Sequence, residues 1–193
     1  MGCLAVSIST DRLAVLRGQL ALTWQLAEVV MADVSDSECL WLPSERSWTV
    51  RRDESGHWIP DWQEPEPADV AQPSLAWTMW QTIWWWSVLL DQLQGDGTLR
   101  REDIAWPGAE AGVATLRELY GRWDGFLAGL GEADLDSGEL TGFPFHDDRP
   151  FVQVVTWATV ELTKNVAEMG LLRRLARDAT SATTRETTRE TVP

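Results

Sequence analysis

The chain has 193 residues, of which 44% are hydrophobic and 24% charged, ordinary values for one globular domain able to bury a core. Thirty acidic residues against 16 basic ones give a net charge of -14, which repels phosphate backbones and anionic membrane surfaces and argues against a nucleic-acid or membrane partner. Cys3 and Cys39 are the only cysteines, so a disulfide scaffold is excluded. Aromatic usage is skewed, with 13 Trp against 4 Phe and 1 Tyr.

The first ten residues lack a basic stretch followed by a long apolar one, and Val6 breaks a myristoylation pattern. No segment has the clean run of about 18 apolar residues that a membrane span needs. A cytoplasmic protein is the expectation.

Periodicity then predicts four helices. The first covers about Asp11 to Ala32, with Ser9 or Thr10 as its N-cap. Its stripe Leu13, Leu16, Leu20, Trp24, Ala27 and Met31 repeats at helical spacing, and Leu22, Leu26 and Val29 form a second apolar patch. Two apolar faces imply a central helix or a subunit contact. The connection from Val34 to Gln72 is long; residues 47–60 alternate around a Gly-containing turn and read as a short hairpin, followed by an irregular acidic, Pro-rich stretch over 61–69.

The second helix spans Ser74 to about Gln94, stopped by Gly95 and Gly97, and is apolar almost all round, the mark of the most buried element. A loop over 97–108 leads to a third helix over about Ala109 to Leu130, and a linker over 134–148 follows. The fourth opens at Arg149, with Pro150 in its first turn, and runs to about Asp178. The Thr-rich tail, 179–193, has no apolar face and is expected to be disordered. Together these give an all-α, up-and-down type four-helix bundle over residues 1–178, with a long first crossover.

One stripe of the fourth helix is unusual. Val154, Trp157, Glu161, Asn165, Glu168 and Leu172 share a narrow arc whose ends are apolar and whose middle is carboxylate, amide, carboxylate. Burying such groups without partners costs roughly 1–3 kcal/mol each, and more for a charge. On the second helix, Gln81 sits among Trp77, Trp84, Trp85 and Val88 at helical spacing. If these helices face each other, Gln81 meets Glu161, Asn165 and Glu168 in a polar pocket roofed by indoles. Two readings are open: a ligand or metal pocket inside the bundle, or a hydrogen-bond network in which Glu161 and Glu168 pair with Lys164 or nearby arginines. Internal polar networks are the commoner outcome.

Other chemistry is sparse. His57 and His146 both fall in loops; Asp147 and Asp148 after His146 read as the cap of the fourth helix more readily than as half a metal site. Cys39, in a Cys-Leu-Trp-Leu context, reads as a small buried hydrophobe. No Gly-rich phosphate loop, nucleophile elbow or CxxC pair occurs.

Residues 74–86, SLAWTMWQTIWWW, resemble the second-helix signature of the DinB-like superfamily, and residues 160–175, VELTKNVAEMGLLRRL, resemble its last-helix signature. Residues 48–60 and 143–151 resemble segments of an actinobacterial branch, so the likeness extends over about residues 10–178. The resemblance implies a four-helix bundle, often a homodimer. It also implies a divalent metal, zinc or nickel, held by three histidines and activating a low-molecular-weight thiol such as mycothiol for transfer or isomerisation. It implies no DNA binding. The family's histidine positions fall here on Gln81, Asn165 and Glu168, with Glu161 one turn earlier, and oxygen ligands of this kind hold zinc or nickel less well than imidazole. Three functions are consistent with that departure: a small-molecule-binding or interaction bundle that has lost the metal, a thiol transferase or isomerase with a modified oxygen-rich site, and a structural dimeric scaffold.

Overall fold

The computed structural model describes residues 11–65, 67 and 72–190, with side chains of the last helix described through residue 182. Four long helices make the bundle: α1 (Arg12–Met31), α3 (Leu75–Gln94), α4 (Ala109–Ala128) and α6 (Val152–Glu190). Two five-residue helices, α2 (Asp36–Leu40) and α5 (Glu132–Asp136), and a hairpin of β1 (Val50–Arg52) and β2 (Trp58–Pro60) complete it. Arg51 pairs with Ile59 at the hairpin's centre. Its turn is set by Asp53, whose carboxylate accepts from the backbone N–H groups of Ser55 and His57, and by Gly56 at φ +86°. The expected hairpin is therefore present.

Helix directions follow from side-chain pairs. Thr23 meets Thr163, and Val30 meets Arg173, so α1 and α6 run parallel. Thr82 meets Asn165 and Thr78 meets Glu168, so α3 and α6 are antiparallel. Arg17 with Asp124 and Arg117 with Glu28 make α1 and α4 antiparallel. Gly112 faces Met79 and Arg122 reaches Gln94, so α3 and α4 are parallel. Around the bundle the order is α1, α6, α3, α4.

This corrects the simple up-and-down expectation, because neighbours α3 and α4 point the same way. The segment joining them must return along the bundle. It is tied to the core by Trp106, which is 2% exposed, and by the Ile104 carbonyl, which accepts from the Trp80 indole at 2.6 Å. Gly112 makes this possible: a Cβ there would lie 3.1 Å from the Trp106 ring.

Local corrections have local causes. Asp11 caps α1, accepting from the N–H groups of Leu13 and Ala14, in place of Ser9 or Thr10, which lie outside the described residues, as does Cys3. The Leu22, Leu26 and Val29 face of α1 is exposed, which removes the central position for this helix. Ser74 caps α3, and 13 of that helix's 20 residues are buried. α4 ends at Ala128, short of Leu130. The linker after it carries the unforeseen α5, held by Arg12, which hydrogen-bonds Glu132 and Asp136.

Pro150 precedes the first turn of α6, which opens with the N–H groups of Val154 and Val155 on the Phe151 carbonyl. Asp147 accepts instead from the Arg149 backbone and guanidinium, so it shapes the entry loop and does not cap the helix. α6 passes the expected stop near Asp178 and continues to Glu190, since extending an existing helix avoids the cost of nucleation. Residues 191–193 of the tail lie outside the described residues. No helix among the described residues is long and apolar enough to cross a membrane.

Candidate functional site

The polar stripe of α6 meets α3 through two threonines that periodicity did not single out. Asn165 is fully buried, and its amide Nδ2 donates to Thr82 Oγ1 at 3.0 Å. Thr82 in turn donates to the Thr78 carbonyl at 2.8 Å. Thr78 donates to Glu168 Oε2 at 3.3 Å. Glu161 pairs with Lys164 at 2.5 Å. Burial pushes the Glu168 carboxyl above the usual carboxylate range, against the pull of Lys164 and the Thr78 hydroxyl, and Glu161 adds to the rise. Asn165 Oδ1 is buried and has no hydrogen-bond partner among the described residues.

Gln81 goes elsewhere. It makes no hydrogen bond to Glu161, Asn165 or Glu168; it lines a cavity of about 210 Å³ with Trp48, Trp62, Trp77, Gln63 and Glu64. The covering segment thus supplies most of that cavity's wall. Thr49 fixes the segment by sharing a hydrogen bond with Ser74 at 2.8 Å, and the Trp77 indole donates to the Asp61 carbonyl at 2.8 Å. Trp62 is central: its ring lies 6.1 to 6.3 Å from those of Trp48, Trp77 and Trp80 and 5.1 Å from Trp84. Its indole N–H is buried without a partner among the described residues.

Trp62 also walls a larger cavity, about 540 Å³, between the hairpin and the turn at Arg101–Asp103, where the Arg101 guanidinium lies 4.4 Å over its ring. Trp84, half-buried, stacks on Trp80 and meets Phe143 edge-on. Trp85 is buried against Trp86 and Trp157, and Trp157 continues to Phe143 and Phe145. Of the residues expected to converge, then, Asn165 and Glu168 share a threonine-bridged network, Trp85 and Trp157 share an aromatic contact, and Gln81 and Trp77 share a cavity. His57 and His146 are exposed; His57 lines the larger cavity and His146 meets Phe143 edge-on.

The loop tryptophans Trp48 and Trp62 were the missed residues. Their only sequence signal was an over-long connection rich in Trp.

The donor set does not fit a three-histidine metal centre. None of the three positions carries an imidazole, Gln81 faces indoles away from Asn165 and Glu168, and no group of three or more His, Cys, Asp or Glu side chains placed to hold a metal occurs among the described residues. Cys39, fully buried, has its thiol pushed up to about 12 by burial, with Asp36 and Glu38 adding to the rise, so it is not a nucleophile at neutral pH.

One protein-family model, described as the DinB superfamily, matches residues 19–169. No curated protein and no solved structure matches the chain.

Proposed function

The chain belongs to the DinB superfamily, and from that membership we propose that it is a small-molecule-binding bundle whose pocket works without the family's three-histidine metal. The observation that carries this reading is Gln81. An amide with no hydrogen-bond partner among the described residues stands in a cavity walled by three indoles, at the position where the family is expected to place a ligand histidine. Pockets of this composition bind planar groups: the rings supply stacking area, and the amide supplies one donor and one acceptor for orientation. The network of Asn165, Thr82, Thr78 and Glu168 joins α3 to α6.

The test uses neutral planar heteroaromatic amides as probes, followed by ligand-observed NMR. Saturable binding that is lost in Gln81→Leu, with the circular dichroism spectrum unchanged, supports the reading. Absence of binding, or binding indifferent to Gln81→Leu, counts against it.

The reading includes a homodimer. Leu22, Leu26 and Val29 are 62%, 55% and 74% exposed on one face of α1, and an apolar row of that kind is stabilised by a second copy. Leu26→Glu should convert a dimer to a monomer in light scattering; a wild-type protein already monomeric at tens of micromolar refutes this part alone.

A further inference from the structure

A third cavity differs in chemistry from both of those above. It measures about 160 Å³ and lies between the end of α1 and the middle of α6, lined by Val29, Val30, Gly170, Arg173, Arg174 and Arg177. In a chain of net charge -14, three arginines converge on it from successive turns of one helix. Glu38 is the carboxylate seen to pair with them, bonded to Nε of Arg173 at 3.1 Å and also to Arg177. Arg174 is exposed and forms no ion pair among the described residues, so the cluster carries positive charge in excess of that one carboxylate.

Arg173 is the built part of the site. It is 6% exposed and donates Nη1 to the Val30 carbonyl at 2.5 Å, which fixes its plane. Its remaining Nη2 is buried and has no acceptor among the described residues. A guanidinium N–H without an acceptor in such a place costs more than a neutral one, so the site favours an acceptor being brought to it. Gly170 keeps that space open: a Cβ there would lie 3.3 Å from Val30 Cγ2 and 3.7 Å from Arg174 Nη1.

We infer that this cavity is a binding site for a phosphate-type oxyanion, held between Arg173, Arg174 and Arg177. The volume suits one such group, not a whole nucleotide or cofactor. The planar forks of arginine match its oxygens. The inference is independent of the Gln81 reading, since the two cavities share no residue.

Isothermal titration calorimetry on the full chain tests it, at constant ionic strength set with sodium chloride, using inorganic phosphate and phenyl phosphate in separate arms. Saturable binding at one site per chain is expected. In Arg174→Gln/Arg177→Gln affinity should fall about tenfold or more, as loss of charge-assisted hydrogen bonds requires. Tighter binding of phenyl phosphate assigns the site to a phosphate ester; equal or weaker binding assigns it to the free ion. No saturable heat with either probe, or affinity unchanged in the double variant, overturns the inference. If the double variant fails to fold, Arg174→Gln alone replaces it, because that side chain is exposed and forms no ion pair among the described residues, and an unchanged affinity there is equally decisive.

Discussion

Replacing Asn165 by leucine, its near-isosteric apolar counterpart, asks what the buried amide contributes. The hydrogen bond to Thr82 at 3.0 Å is lost, a net cost of about 1 kcal/mol. The hydroxyl of Thr82 keeps its bond to the Thr78 carbonyl at 2.8 Å, so the substitution strands no donor. On the other side, the Oδ1 acceptor, buried without a partner among the described residues, disappears, and removing such a group gains about 1–3 kcal/mol. Leucine is slightly larger, and tight packing at a fully buried position returns about 1 kcal/mol of strain. The sum is close to zero, within about 1 kcal/mol. Urea denaturation followed by circular dichroism at pH 7 measures it. A loss above about 2 kcal/mol with an unchanged spectrum would mean instead that Oδ1 makes an interaction the bundle depends on.

Three other substitutions have definite outcomes. Glu168 is raised by burial, so its folded form binds protons more tightly than the unfolded chain and its contribution to stability falls as pH rises through that interval, above about 4.5. Glu168→Gln keeps an acceptor for Thr78 and removes this loss; its stability advantage in urea melts should grow from pH 4.5 to pH 8, and a constant difference refutes it. Glu38, 13% exposed, runs the other way: burial pushes its carboxyl up, but the hydrogen bonds from Arg173, the Ser35 backbone and Arg177 outweigh this and hold it at about 2, against 4.5 unperturbed. That depression is worth on the order of 3 kcal/mol, present above pH 4.5 and lost as pH falls toward 2, so Glu38→Gln should be costly at pH 7 and nearly neutral at pH 2. Gly112→Ala would gain helix propensity anywhere else, but here the new methyl meets the buried Trp106 ring at 3.1 Å; thermal unfolding should show a loss of about 1–2 kcal/mol, and a gain refutes the packing of the crossover.

The four long helices were legible because their apolar residues recur at helical spacing and because Ser74 and Gly95 mark their helix's ends by type. Their relative directions were not. Nothing local in residues 95–108 distinguishes a tight loop from a return along the bundle; the distinction rests on where Trp106 and Ile104 find partners, a long-range property. The same limit separates Asn165 from Gln81. Helical projection placed Asn165 and Glu168 on one buried arc, and they do share a network, but the identity of Thr78 and Thr82 as partners depends on the rotation of α3, which its near-uniform apolarity leaves undetermined. Gln81 was singled out by its contrast with the surrounding tryptophans, while the indoles that enclose it come partly from a covering segment whose path no periodicity encodes. The short helix α5 escaped notice because five residues carry no period; Arg12 on α1 holds it through Glu132 and Asp136.

We propose that Gln81, Asn165 and Glu168, which stand where the family is expected to place its ligand histidines, hold no zinc or nickel. The most direct test is the metal content of the full chain, expressed in medium supplemented with zinc and nickel, desalted, and measured by inductively coupled plasma mass spectrometry. Far less than one ion of either metal per chain is expected, unchanged in Glu168→Ala. A stoichiometry near one ion per chain that disappears in Glu168→Ala, with the helical spectrum intact, would contradict it.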